Sequence, residues 1–357
     1  MTKVAIMGAT GYGGIEFLRI LLTHPEAKVT YVAGHRTVGQ KISDVYPNLR
    51  GLCDLPIQEP NLEQAGNEAD FCAFALEPGV GTPIIRQALK GGKKVLDFSA
   101  EFRLKNLNYY EQFYGEHAAP ELVEQAAYGI PELHRQEITN ANLVAVPGCH
   151  ASAGIFSLAP LAKYGLIDLQ SISIDSKTGI SGAGRTRSNL LNHYPEADEN
   201  VVPYAIPDHR HRPEIEQELS LLADEEIKVT FVPSRVPMVR GILATSFADM
   251  AVSQGQGKGA ALATSTSGEL VECYQDFYAN EHFVRIGGVG QFPQTKQTSG
   301  SNFVDIGVAY DARTQRAIAL CALDNLGKGL AGAAVQCFNL MNGYEETLGL
   351  KFAGVWP

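Results

Sequence analysis

The 357 residues carry 45% hydrophobic and 19% charged side chains, the make-up of a globular chain long enough for two domains. A formal net charge of −10 and an isoelectric point near 5.4 argue against nucleic-acid or membrane-surface partners, leaving room for a local basic pocket. The six cysteines, at 53, 72, 149, 273, 321 and 337, show neither disulfide-framework spacing nor a C-x-x-C pair, so a reducing cytoplasmic setting is expected and no metal site.

Lys3–Met7 reads as an apolar strand, too near the start for a signal peptide, and no later stretch approaches the roughly 18 apolar residues of a membrane span. Gly8-Ala9-Thr10-Gly11-Tyr12-Gly13-Gly14 follows, then an amphipathic helix carrying Ile15, Phe17, Leu18, Leu21 and Leu22. Strand, glycine turn and helix in that order are the setting of a dinucleotide fingerprint. Gly8, Gly11 and Gly14 let the backbone turn tightly and bring a pyrophosphate close to the helix N-terminus. The second strand, Lys28–Ala33, ends in Gly34-His35-Arg36-Thr37 without the acidic residue that holds an NAD ribose. Arg36, helped by His35, suits a 2′-phosphate, so NADP(H) is the cofactor expected; an exposed loop arginine is the competing reading.

The alternation continues through a strand at Ala69–Leu76, a helix at Pro83–Lys90 stopped by Gly91-Gly92, and a strand at Lys94–Phe98. Ser99-Ala100-Glu101-Phe102-Arg103-Leu104 comes next. Arg103 lies just past a strand end, where open parallel sheets place ligand contacts; a surface ion-pairing arginine is the equal alternative. The apolar run Val144–Val146 then breaks at Pro147-Gly148, and Cys149 leads into a helix predicted over Ala151–Ala159. Free N–H groups at that helix start favour a thiolate and can act as an oxyanion hole. A structural cysteine at a turn is the rival explanation.

Beyond Cys149 the pattern changes. Ser171–Thr178 alternates like a half-buried strand, and Gly179–Arg185 is too glycine-rich for regular structure. Strands are predicted at Ile227–Pro233, Met238–Met250, Phe303–Asp311 and Ala317–Leu323, a surface loop at Gln254–Gly259, and a closing helix at Leu330–Asn342. Mostly strands with a few long helices indicate an α+β second domain with a largely antiparallel sheet. His209 and His211 lie in the loop entering a helix that begins near Pro213. Either can serve a thiol as general base or be a solvated loop histidine, and no nearby ligand set completes a metal site.

Eight stretches together carry a family resemblance. They are the glycine turn 8–14, His35-Arg36-Thr37-Val38-Gly39, Asp97 to Leu104, Pro147-Gly148-Cys149, Ser176 to Arg185, His209-Arg210-His211-Arg212-Pro213-Glu214-Ile215, Val236 to Gly241, and Asp324 to Gly329. In that order they resemble the N-acetyl-γ-glutamyl-phosphate reductase family of arginine biosynthesis over essentially the full length. The resemblance implies an α/β fold of the semialdehyde dehydrogenase type. A Rossmann NADP-binding domain (1–148) would precede an α+β catalytic and oligomerisation domain (149–325), and a C-terminal helix (326–357) would pack back on the first. It also implies a homo-oligomer, dimer or tetramer. Cys149 matches the family nucleophile and His209 its histidine base. Gly8, Thr10, Gly11, Tyr12, Gly13, Gly14, His35, Arg36, Ser99 and Asn325 match cofactor positions, and Arg103, Lys177, Arg185, Arg212 and Arg240 are the cations available to an acyl-phosphate substrate. One departure is His150-Ala151-Ser152 where many members carry Tyr-Pro-Thr, which sets a second histidine beside the nucleophile.

The chemistry so implied is attack of Cys149 on an acyl phosphate, loss of phosphate, and reduction of the thioester to a semialdehyde. Rivals are the same reaction on an aminoadipate or aspartyl phosphate, and a non-catalytic NADP-binding sensor. A short-chain reductase is disfavoured because no Tyr-x-x-x-Lys follows a Rossmann strand.

Overall fold

Strand β1 (Thr2–Met7) has its last four residues fully buried, as a strand covered on both faces must. In the computed structural model, which describes residues 1–185, 189–251 and 266–356, β1 pairs in parallel with β2 (Ala27–Ala33) and β4 (Phe71–Phe74). With β3 (Ile57–Gln58), β5 (Lys94–Asp97), β6 (Ala126–Tyr128) and β7 (Leu143–Ala145) they form an all-parallel sheet ordered β3-β2-β1-β4-β5-β7-β6. The order reverses beside β1, so the turn after β1 opens at the switch point where such sheets bind ligands. Ala5, Met7, Tyr31, Phe74 and Val95 belong to the core packed on this sheet.

The closing helix, Gly332–Met341, belongs to the same unit. Its Asn339 Oδ1 meets His24 Nε2 at 2.8 Å, its Gln336 donates to Glu132 at 2.9 Å, and Cys337 Sγ lies 3.7 Å from the Gly129 carbonyl. This helix therefore docks on the first unit through polar as well as apolar contacts, Phe338 meeting Phe71 edge-on at 4.8 Å.

The second unit is built on β8 (Ser173–Thr178), β9 (Val202–Pro203), β10 (Thr230–Arg235), β11 (Ile242–Asp249), β12 (Val284–Ile286), β13 (Val304–Asp311) and β14 (Arg316–Leu323), ordered β12-β13-β14-β11-β8-β10-β9. Pairs β8–β10 and β12–β13 are parallel and the other four antiparallel. Burial alternates along β8 and β11. One face carries Ser176, Ala244 and Ser246 toward the helix Cys149–Lys163, where Ser157 Oγ and Ser246 Oγ are 2.7 Å apart. The other face stays half-exposed, with Leu243, Phe247, Ile318 and Leu320 on it.

The helix Cys149–Lys163 is buried from His150 through Ala162. Its small residues allow close packing: a Cβ on Gly154 would stand 3.0 Å from Ile215 Cδ1 of the helix Arg212–Ala223. Pro160 lacks the N–H that would reach the Phe156 carbonyl. The Tyr278 hydroxyl takes that place at 2.9 Å, and Tyr274 donates to the Ser157 carbonyl. The freed Phe156 acceptor is thus satisfied from outside the helix.

Unit boundaries differ from the expected ones at both ends. Leu326–Gly329 stays with the second unit, because the buried Asp324 carboxylate collects the Leu326 and Gly327 N–H groups at 2.8 and 3.1 Å. The tail from Phe352 also belongs there, with Val355 N–H donating to the Ser299 carbonyl at 2.7 Å. Arg185 groups with the first unit. The expected loop at Gln254–Gly259 lies outside the described residues. No helix among the described residues is long and apolar enough to cross a membrane.

Candidate active site

The first unit supplies a glycine cradle. Gly8 has φ +87°, and a Cβ there would lie 2.2 Å from the Ala75 carbonyl oxygen; a Cβ on Gly14 would lie 2.3 Å from the Gly8 carbonyl oxygen. Only glycine fits either position. The helix Tyr12–Leu21 begins after Gly11 with no side-chain cap and no acid in its first turn. Its first N–H groups therefore face outward for an anion, the arrangement a pyrophosphate uses. The residues present fit a dinucleotide.

Around this turn the expected residues divide. Arg36 is exposed and makes no hydrogen bond or ion pair among the described residues. His35 Nδ1 lies 3.7 Å from Glu59, an acid delivered by the end of β3 that a reading of β2 alone does not see. Ser99 is committed inward: its Oγ donates to Asp97 at 2.7 Å, and burial pushes the Asp97 carboxyl up to about 6. Arg103 is buried and its Nε and Nη2 bond the Val146 and Phe98 carbonyls at 2.7 and 2.9 Å, bracing two strand ends. Arg185, expected among the substrate cations, stands instead on the cofactor turn. Its Nη1 donates to the Thr10 carbonyl at 3.1 Å and its guanidinium lies 4.6 Å from the Tyr46 ring centroid. The Tyr46 hydroxyl bonds the same carbonyl at 2.8 Å.

The second unit holds the nucleophile. Cys149 is the first residue of its helix, part-exposed, with Gly148 at the N-cap and no acid in the first turn. Gly148 is obligatory for a different reason from Gly8: a Cβ would stand 2.6 Å from His211 Nε2 and 2.8 Å from Glu214 Oε1. The Gly148 N–H donates to Glu214 Oε2 at 2.9 Å. That donor is therefore spent, and the N–H groups of Cys149 and His150 come next for an oxyanion.

His150, His209 and His211 cluster behind the helix start, their ring centroids 4.8–5.9 Å apart. Phe231 packs against the first two. His209 is buried, and desolvation, with help from the charge of Arg210, lowers its pKa to about 3. Its Nδ1 accepts the His211 N–H at 3.1 Å, so the neutral ring carries its proton on Nε2. As placed, His209 offers a donor rather than the lone pair of a general base. His150 is also buried, with its pKa pushed well down. It bonds Ser176 Oγ through Nδ1 at 2.7 Å and Tyr204 Oη through Nε2 at 3.0 Å.

Among the expected cations, Lys177 is placed as follows. It lies on the half-exposed side of β8, ion-paired to Asp175 at 2.5 Å, while its neighbour Ser176 faces His150. The two-residue period of a strand turns consecutive side chains to opposite faces. Arg212 is tied locally, to the Pro207 carbonyl and Asp208 at 3.2 and 3.1 Å. Arg240 Nε reaches the buried Asp324 carboxylate at 2.9 Å. Asn325 uses both ends of its amide to join Gly241 N–H and Ser181 Oγ, at 2.8 and 2.9 Å. Sequence reasoning passed over Tyr204, Ser176, Arg210 and Arg235. Arg235 lies 5.0 Å from the Tyr204 ring centroid. The available signal was Arg210 standing inside the same stretch as His209.

A glycine cradle on a parallel sheet, followed by a helix-mounted cysteine on a mixed sheet, defines a dehydrogenase of the semialdehyde class. Family models agree: "Semialdehyde dehydrogenase, NAD binding domain" matches residues 3–141 and "Semialdehyde dehydrogenase, dimerisation domain" residues 149–325. Solved structures with the same fold include aspartate semialdehyde dehydrogenases from Candida albicans, with NADP (TM-score 0.71, 17% identity, 96% and 98% of the two chains), and from Vibrio cholerae (0.69, 17%, 96% and 98%). Curated relatives named N-acetyl-gamma-glutamyl-phosphate reductase are 44% identical in Acetivibrio thermocellus over 100% of both chains and 44% in Pelotomaculum thermopropionicum over 99% of both. The chain belongs to the N-acetyl-γ-glutamyl-phosphate reductase family of semialdehyde dehydrogenases.

Proposed function

We propose that this chain reduces N-acetyl-L-glutamyl 5-phosphate to N-acetyl-L-glutamate 5-semialdehyde and phosphate with NADPH, in arginine biosynthesis. The observation that carries the reading is the part-exposed Cys149 at an uncapped helix start backed by buried, neutral histidines, in a chain with full-length relatives of that name.

The Cys149 thiolate attacks the acyl carbon, and the N–H groups of the helix's first turn hold the tetrahedral oxygen until phosphate departs and a thioester remains. The chemistry a bound reduced nicotinamide supplies is a hydride. The tetrahedral oxyanion that follows on Cys149 is held by the same N–H groups, with the Nε2–H of His209 as a further donor, and expels the sulfur to leave the aldehyde. Gly8, Gly11, Gly13 and Gly14 hold the pyrophosphate, and Arg36 with His35 the 2′-phosphate. Arg210, Arg235 and Arg240 meet the anionic ends of the substrate. The half-exposed sheet face carrying Leu243, Phe247, Ile318 and Leu320 pairs with a second copy, in keeping with the dimerisation model matched there. Six free cysteines suit a cytoplasmic location.

The reaction run backwards tests this reading. Semialdehyde, NADP and phosphate together give NADPH, and omitting phosphate stops the signal. Faster turnover of an aspartyl or aminoadipyl semialdehyde would overturn the substrate assignment.

A further inference from the structure

Asp324 is fully buried, yet its carboxylate serves three separate segments of the second unit. The Leu326 and Gly327 N–H groups reach Oδ1 at 2.8 and 3.1 Å. The Gly300 N–H reaches Oδ2, and Arg240 Nε lies 2.9 Å from the same oxygen. A carboxylate only accepts, through about four lone-pair sites, whereas an asparagine amide would turn N–H groups of its own toward some of these donors. The position therefore asks for an acid.

The main chain of Asp324 is engaged as well. Its carbonyl accepts the Gly329 N–H at 2.8 Å, a bond that spans five residues. Gly327–Ala331 is accordingly a turn of π-helix, and the chain becomes regular α-helix at Gly332. Such turns are rare and frequently mark functional sites. Two glycines seat this one. A Cβ on Gly327 would lie 2.2 Å from the Ser301 carbonyl oxygen, and a Cβ on Gly329 would lie 2.9 Å from Cys149 Cβ. The first fits the turn onto the segment whose Gly300 N–H the carboxylate holds. The second brings bare backbone up to the Cβ of Cys149, the part-exposed first residue of its helix, and closes one approach to it.

We propose that Asp324 is a positioning residue for the reduction. One buried carboxylate fixes the turn on which Cys149 rests and, at the same time, the guanidinium of Arg240. Gly329 is its arm toward the nucleophile and Arg240 its arm toward the anionic substrate. The proposal rests on the reductase reading, with Cys149 as nucleophile and Arg240 as a substrate cation. No bond is made or broken at Asp324.

The test removes each arm in the full-length chain and runs the reaction backwards, with semialdehyde, NADP and phosphate. Gly329→Ala presses a methyl group on Cys149, and a misplacement of that size is expected to lower kcat by up to about a hundredfold, with KM little changed. Arg240→Ala should instead raise the KM for semialdehyde or for phosphate about tenfold, the loss of one charge-assisted contact, with a smaller change in kcat. Asp324→Asn should do both. Adding Arg240→Ala to Asp324→Asn should raise KM no further than Arg240→Ala alone, because that arm is already lost. Should Asp324→Asn fail to fold by circular dichroism, Asp324→Glu, which keeps the charge and displaces it by one methylene, carries the same test. A role in stability alone would lower the melting temperature and leave kcat and KM of the folded enzyme as in wild type. That result, or KM effects that simply multiply in the double variant, would overturn the proposal. Iodoacetamide alkylation of Cys149, with Cys149→Ser marking the background, gives a reading without turnover: Gly329→Ala should slow it and Asp324→Asn, which loosens the turn, should quicken it. Failure of the reductase reading looks different, because the wild-type chain would then turn over no semialdehyde while these opposite alkylation changes persisted.

Discussion

His209 illustrates how one backbone hydrogen bond decides a side chain's chemistry. With Nδ1 accepting the His211 N–H at 3.1 Å, protonating that nitrogen would set two donors against each other. Burial already lowers the ring's pKa to about 3. A neutral Nε2–H donor stabilises an oxyanion without itself titrating, the role of an electrophilic imidazole. Replacing His209 by Ala should lower kcat by roughly 10²–10³, the usual effect of one lost oxyanion donor, and His209→Gln, which keeps an N–H, should recover part of it. The kcat profile between pH 6 and 9 should keep its shape in both. A wild-type limb in that range that disappears in His209→Gln would restore the general-base role. Arg36 poses a simpler question, since nothing among the described residues competes for its guanidinium. Arg36→Ala should weaken NADPH binding about ten- to a hundredfold, one charge-assisted contact, with NADH nearly unchanged in a fluorescence titration. Equal losses for both nucleotides would remove Arg36 from the 2′-phosphate site.

Strand β8 shows how much an element's period decides. Ser176 faces the histidine cluster and Lys177 the opposite, half-exposed face, in register with Leu243 of β11. Lys177→Ala is therefore expected to leave the substrate KM within about twofold. Phe247→Asp, a charge in the apolar rows of that face, should shift the chain to monomers in sedimentation. A tenfold rise in KM for Lys177→Ala would return it to the substrate site. The alternation that marks 171–178 as a strand also turns Lys177 away from the buried face, so that placement was within reach of the pattern alone. The glycine turn, β1 and Cys149 at a helix start were legible because local chemistry dictates them. Strands β3, β6, β9 and β12 were not, because two or three residues carry no period. The helix Cys149–Lys163 was read short, since a helix buried all round shows no apolar stripe. The Ser176–His150–Tyr204 line was invisible because it joins three separate segments that only the fold brings together.

At the scale of the molecule, buried titratable groups are divided unevenly between the two units, and this gives them different acid tolerance. In the second unit, His150 and His209 are both buried with pKa values lowered chiefly by desolvation. A histidine depressed in the folded state stabilises above its unfolded pKa of about 6.5, and that stability is lost as pH falls, because only the unfolded chain takes up the proton. At pH 5 the loss for His209, depressed to about 3, is about 2 kcal/mol against a typical total of about 5–15, and His150 adds to it in the same direction. Glu216, raised by burial, works in the opposite direction and offsets a share. In the first unit His24 is lowered, and Asp97, raised to about 6, gains its proton over the same range and compensates. Hydrogen exchange converted to opening free energies should therefore show the helix Cys149–Lys163 losing stability between pH 6.5 and 5 while the helix Tyr12–Leu21 changes little. His150→Leu, which removes one of these groups, should reduce the loss in the second unit. Equal losses in both helices, or an unaltered slope in His150→Leu, would show that the acid sensitivity lies elsewhere than in the histidines behind Cys149.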